Sequence, residues 1–366
     1  MALRRVQGHL EEHGLDYFPA LKEITKIRIE RVKEESTNPL RRFVLSDGTQ
    51  NARVIAKWAP VYCSNNEGLT EYRHYHHFNA EFHGAVPFSC PRPLAFIESD
   101  GVLLTEEKIL SPLVGLLRFR RQSRTTERAV RLSAKWLAAF HKLTCSEPKP
   151  VGLTWRGIER SSPWITDRYL EREDVNAIVG PEIRGRILRV RSRFRSGSFL
   201  CRMGGVHRDF GPGNIGVSIE GVTVFDAAYN RQGPQLLDVA DFITYLGLLP
   251  TFGLRSARIC RGLTNAFLEA YFETSPASVD ETIVLKMLAI GSLVRSLDRH
   301  LSISRRFPCP LESIFKSWLA RMYRTCFDST VAAAERLPRH QFRPHSDTAQ
   351  TMIDPKLGEL FLRSVL

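Results

Sequence analysis

The stretch His207-Arg208-Asp209-Phe210-Gly211-Pro212-Gly213-Asn214 decides how this chain is read. An aspartate and an asparagine stand five residues apart in a glycine-rich interruption between short β segments. Twelve residues after Asn214, Asp226 closes the apolar strand Val222-Thr223-Val224-Phe225. One carboxylate to accept a proton, and two oxygen ligands to hold a hard cation against phosphates, are the groups that phosphoryl transfer requires. Asp209, Asn214 and Asp226 supply them in that order.

Outward from this stretch the chain changes texture. From Ile24 to Trp58 it is β-like: KIRIERV, the polar KEESTN, LRRFVLSDG and ARVIAKWA predict three strands, with Ser46-Asp47-Gly48 turning a hairpin. A helix is predicted over 65–82. A second hairpin follows, LAFIES and VLLTEE joined at Asp100-Gly101. After Lys108 the pattern becomes helical: 125–143 strongly, 164–195 mostly, and 236–327 mainly, with a small β insert at NIGVSI and VTVFDA. The expected division is an N-terminal extension over 1–22, a β-rich nucleotide-binding unit over 23–108, a helical unit with the catalytic loop over 109–330, and a tail over 331–366.

Lys57 lies in Val54-Ile55-Ala56-Lys57 on the third strand. A lysine among apolar strand residues needs an anionic partner, since a buried unpaired ammonium is costly. Glu71 and Glu67, one helical turn apart in the next helix, are the candidates.

These motifs resemble the kinase catalytic loop H-R-D-x-x-x-x-N, its downstream metal-binding aspartate, and the V-A-I-K strand. Leu137-Ala138-x-x-His141 and Asp238-Val239-Ala240 are similar to further marks of the aminoglycoside phosphotransferase and choline kinase group. The resemblance spans about residues 24 to 330. It implies an α+β, two-lobed protein kinase-like fold and an ATP- and Mg2+-dependent transfer to a small-molecule hydroxyl. Asp209 would be the base, Asn214 and Asp226 the metal ligands, and Lys57 the phosphate contact with Glu71 as its partner. His141 would pack beneath the catalytic loop. Asp238, placed as a helix N-terminal carboxylate, reads by its position as a simple cap. Where protein kinases carry a glycine-rich loop this chain has Lys33-Glu34-Glu35-Ser36-Thr37-Asn38, so backbone amides or the Ser36 and Thr37 hydroxyls are the candidate phosphate contacts there.

The alternative is a protein kinase or a kinase-like scaffold without turnover. Arg208 favours it, because protein kinases carry arginine at that position. Only 12 residues run from Asp226 to Asp238, and no A-P-E follows, which leaves little chain for a peptide platform.

The formal net charge of +13 gathers in arginine clusters at 118–131, 184–195 and 336–343. Such fields favour anionic partners and disfavour polycationic acceptors. A sugar, a glycan precursor, or an anionic or lipid-linked alcohol fits this charge better than an aminoglycoside, while the acidic group Asp167, Glu171, Glu173 and Asp174 keeps an amine-bearing, aminoglycoside-like acceptor open. Nucleic acid is disfavoured because no reader motif is present. Seven scattered cysteines without a CxxC pair argue against a disulfide framework or zinc site. With no secretory apolar core and no span-length apolar run, a cytoplasmic location is the default expectation.

Overall fold

The computed structural model describes residues 2–33, 39–58, 66–82, 87–119, 124–145, 150–227 and 232–337. In chain order the elements open with helix α1 (Ala2–Tyr17), strands β1 (Lys26–Lys33), β2 (Leu40–Ser46) and β3 (Asn51–Trp58), and helix α2 (Asn66–Phe82). Strands β4 (Phe88–Ser89), β5 (Pro93–Ile97), β6 (Val102–Glu106) and β7 (Ser111–Pro112) follow. Helices α3 (Leu113–Phe119) and α4 (Arg124–Leu143) lead to β8 (Val151–Thr154), and α5 (Trp155–Ser161), α6 (Asp167–Leu170), α7 (Glu173–Val179) and α8 (Pro181–Phe194) come next. Strands β9 (Ser198–Cys201), β10 (Met203–Gly205), β11 (Ile215–Val217), β12 (Val222–Val224) and β13 (Gln232–Pro234) precede the last helices: α9 (Leu236–Leu248), α10 (Ala257–Tyr271), α11 (Val279–Ser304) and α12 (Cys309–Glu335).

The chain divides into two compact units: Met1–Pro112 with Gly213–Asn230, and Leu113–Pro212 with Arg231–Leu366. The first is built on a sheet of order β1-β2-β3-β6-β5, all antiparallel. Alternation drives it: Val54 and Ala56 of β3 are buried with Phe43 and Leu45 of β2, and Val102 and Leu104 of β6. The β2–β3 turn forms because Gly48 takes a φ of 89° and the Asp47 carboxylate accepts from the Thr49 and Gln50 N–H groups.

Residues 1–22, read from the sequence as an extension, join this same core. Val6 and Leu10, one turn apart on α1, are fully buried against the sheet residues, and Leu21 lies with them. The hairpin β11–β12, expected as an insert in the helical unit, groups with the first. Its β12 pairs in parallel with β4, and its β11 pairs antiparallel with β7. Gly221 is required there, because a Cβ would stand 1.8 Å from the Pro87 carbonyl oxygen.

The second unit is helical. Helix α4 buries Ala129, Val130, Ala134, Leu137 and Phe140 on one stripe, as its 3.6-residue pattern dictates. It packs on α10, and α11 packs on α9 and α12. Ser256 caps α10, and Ser278 with Glu281 forms a capping box on α11. The stretch 164–195 is broken into α6, α7 and α8. Gly180, with φ 81°, and Pro181 at the first turn of α8 make the last break.

Candidate active site

In the first unit, β3 and α2 bring Lys57 and Glu71 together. Lys57 Nζ lies 2.8 Å from Glu71 Oε2 and 3.0 Å from Oε1, and 2.5 Å from Asp226 Oδ1. Burial opposes the charged form of Lys57, but Glu71 and Asp226 outweigh it and hold the amine above its ordinary pKa. Of the two glutamates the sequence offered, Glu71 is the partner; it is itself buried. Asp226 is 49% exposed.

Tyr75 is the residue the sequence reading missed. Four positions after Glu71, it shares that face of α2 and is fully enclosed. Its hydroxyl donates to Glu71 Oε1 at 2.8 Å and accepts from the Asp226 N–H at 2.9 Å. Burial, then the Glu71 and Asp226 charges, push the phenol well above its usual range, so it stays protonated and bridges the two acids.

Asn214 and Asp226 sit at one end of the β11–β12 hairpin. Ile215 pairs with Val224, and the Phe225 N–H donates to the Asn214 carbonyl at 2.9 Å. The opposite end is closed by Ser218–Gly221, whose Ser218 N–H donates to the Gly221 carbonyl. Pairing register therefore brings the two residues to the same edge of the unit. A carboxylate and a carboxamide there form a hard-oxygen pair suited to magnesium, which takes its other ligands from phosphates and water. Among the described residues no group of three or more His, Cys, Asp or Glu could hold a metal without such outside ligands.

In the second unit the loop before Asp209 is fastened from below. Asp238, fully buried on the first turn of α9, accepts from the His207 N–H and the Arg208 N–H, each at 2.7 Å. His141 Nε2 lies 3.0 Å from the same carboxylate, and Tyr271 Oη lies 2.8 Å from His141 Nδ1. Burial works against the ionised Asp238, yet the His141 and loop N–H bonds win and hold its pKa below the ordinary value. Burial also lowers the pKa of His141. The neutral ring then donates from Nε2 and accepts the Tyr271 O–H at Nδ1. The reading of Asp238 as a helix cap is thereby corrected: its partners are the loop and His141. His141 does lie buried in this network, as the resemblance implied.

The flanking residues turn Asp209 outward. Arg208 has φ 64°, a conformation L side chains rarely adopt. Its carbonyl accepts from Arg295 Nη1 at 3.2 Å, and Arg295 is itself paired with Asp241. On the other side Phe210 is buried among Trp136, Phe242 and Phe267. A fully buried aromatic is worth about 1.5–3 kcal/mol, so this ring pins the loop. Asp209 is left 57% exposed, with Arg299 Nη2 3.2 Å from Oδ1.

The expected phosphate contacts Ser36 and Thr37 lie outside the described residues. The arginine cluster of α8 is largely satisfied within the chain: Arg184 pairs with Glu171, Arg186 with Asp328 and Glu335, and Arg191 with Glu159, while Arg193 donates to the Glu335 and Leu337 carbonyls. No helix among the described residues is long and apolar enough to cross a membrane.

Residues 31–276 match the sequence model of the phosphotransferase enzyme family. No curated protein matches the chain. Among solved structures it is similar to a putative aminoglycoside phosphotransferase from Ralstonia eutropha, at 13% identity and TM-score 0.55, over 87% of this chain and 97% of that one. It is also similar to a choline kinase from Cryptosporidium parvum, at 13% identity and TM-score 0.51, over 90% and 95%. An ethanolamine kinase from Plasmodium vivax matches at 14% identity and TM-score 0.50, over 87% and 88%. The family match covers most of the chain and the structural likenesses agree on its architecture: the chain belongs to the phosphotransferase enzyme family and has its α+β, protein kinase-like fold.

Proposed function

We propose that this protein transfers the γ-phosphoryl group of ATP, with magnesium, to a hydroxyl of a small molecule. The observation that carries the reading is the centre in which Lys57 is held by Glu71 and Asp226, with Tyr75 beneath them. Such an ammonium is fixed in position, stays charged and is partly open to a ligand, which suits it to nucleotide phosphates. Asn214 and Asp226 would hold the metal, which would supply positive charge against the charge developing on the transferred phosphoryl group. Asp209 accepts the proton of the attacking hydroxyl. Its exposure and its well-anchored loop support that role.

The acceptor is neutral or anionic. Choline and ethanolamine, the acceptors named for two of the solved relatives, carry a cationic nitrogen. Here the Arg299 guanidinium stands beside Asp209, where it disfavours a second cation.

The test is incubation with labelled ATP, magnesium and separate pools of sugars, carboxylated or phosphorylated alcohols, amino alcohols and protein. Label should pass to a neutral or anionic small molecule, and Asp209→Asn should abolish transfer while calorimetry still shows ATP binding. Transfer mainly to protein would refute the reading. Preference for choline or ethanolamine would refute the role given to Arg299.

A further inference from the structure

Twelve large hydrophobic side chains are exposed among the described residues, and five of them fall between 303 and 318. They are Ile303 (45% exposed), Phe307 (40%), Leu311 (54%), Ile314 (67%) and Trp318 (39%). The clustering matters because scattered surface apolars are ordinary, whereas a contiguous patch marks a contact surface. This one is contiguous. Phe307 packs on Phe315 with ring centres 5.4 Å apart, and Phe315 packs on Trp318 at 5.3 Å. Leu311, Ile314, Phe315 and Trp318 follow the spacing of one face of α12.

The patch has a basic rim. Residues 300–324 contain five Lys or Arg and one acidic residue, Glu312. Glu312 is paired with Lys316. Arg305 is paired with Asp174, and Arg324 donates to the Ile178 and Ala177 carbonyls, which leaves Arg306 and Arg321 to form the rim. Arg306 and Arg321 are exposed and form no ion pair with a described residue. Aromatic and aliphatic tips framed by cations match the boundary of an anionic bilayer, where rings and alkyl chains enter the headgroup layer and the cations meet lipid phosphates and carboxylates. A second copy fits less well, because two-fold self-pairing of this face would set one basic rim against another.

We propose that the junction of α11 and α12 is a docking surface for an anionic lipid bilayer. Ile303 lies one helical turn beyond Arg299, the residue that reaches Asp209. Docking through this face thus brings Asp209 near the headgroups.

The experiment is co-sedimentation of the full chain, without nucleotide, with vesicles of phosphatidylcholine alone or of phosphatidylcholine with phosphatidylserine. The chain should partition into the anionic vesicles at least about tenfold better, and added salt should weaken binding. Leu311→Glu with Ile314→Glu should remove the binding and leave the thermal unfolding midpoint unchanged, since both side chains face solvent. Arg306→Glu with Arg321→Glu should weaken it by about fivefold or more per residue. Equal partition into both vesicle types, no partition, or unchanged binding by the Leu311/Ile314 variant would overturn the proposal. So would a concentration-dependent dimer, seen by light scattering and lost in that variant, which would assign the face to a second copy. None of these readouts depends on phosphoryl transfer, so failure here leaves the enzymatic reading standing.

Discussion

Asp238 and Asp226 are the same side chain placed in opposite circumstances, one in each unit. Asp238 is fully buried and accepts two backbone N–H bonds and one from His141. Asp226 is half exposed, with Lys57 as its ion-pair partner. The first is saturated by groups that cannot leave, so its charge shapes the backbone. The second faces a cation and open solvent, so its charge is available to a ligand. Strain follows the same division. Among the described non-glycine residues, the left-handed one in the second unit is Arg208, held by the buried acid. In the first it is Asp226 itself, at φ 57°, with its N–H bonded to Tyr75.

Four measurements can break or sharpen this contrast. Asp238→Ala should cost about 3–5 kcal/mol of stability in urea unfolding, because three buried donors lose their acceptor; a loss below about 1 kcal/mol would mean that the network is slack. Asp226→Asn should reverse the pattern. Turnover should fall by two to three orders of magnitude or more, and stability should change by less than about 1 kcal/mol. A stability loss as large as that of Asp238→Ala would erase the distinction between the two acids. Tyr75→Phe should fall between them, at about 1–3 kcal/mol with a partial loss of turnover, since Glu71 and the Asp226 N–H each lose one partner. Unchanged stability and rate would show that the hydroxyl is no strut.

The smallest effect concerns His74, beside Tyr75 on α2. Burial lowers its pKa from 6.5 to about 4, against a hydrogen bond with the Ala227 backbone. The unfolded chain takes up this proton from about pH 6.5 downward, and the folded chain only near pH 4. The stability contribution of neutral His74 is therefore present above pH 6.5 and lost as pH falls from 6.5 to 4. Thermal unfolding followed across that range should show this decline, and His74→Gln should flatten it. An equal slope in the variant would place the proton uptake elsewhere.

Local chemistry was legible in the sequence and remote partnership was not. The stretch 207–214, the strand carrying Lys57 and the hairpin turns are written in adjacent residues, and the structure has strands and a helix where those patterns predict them. Tyr75 could have been found, since its spacing from Glu71 sets both on one face. Asp238 could not, because its loop partners are 30 and 31 residues away, and nothing local separates a buried acceptor from a cap. The arginines of α8 gave a similarly false signal. They read as a field for anionic ligands, but Arg186 finds its carboxylates 142 and 149 residues further on. Residues 1–22 read as an extension, because nothing local reveals the sheet that Val6 and Leu10 pack against.

The hairpin that carries Asn214 and Asp226 works as a ruler. Strand register, not the length of the connecting turn, sets the spacing of the two oxygen donors. An insertion at the tip, where Ile219 is 92% exposed, leaves both donors where they are. Deleting one residue inside β12 exchanges the faces of its side chains and carries Asp226 out of line. Evolution of this protein is thus free to vary the tip in length and composition, and it is confined at every position between the tip and the acid.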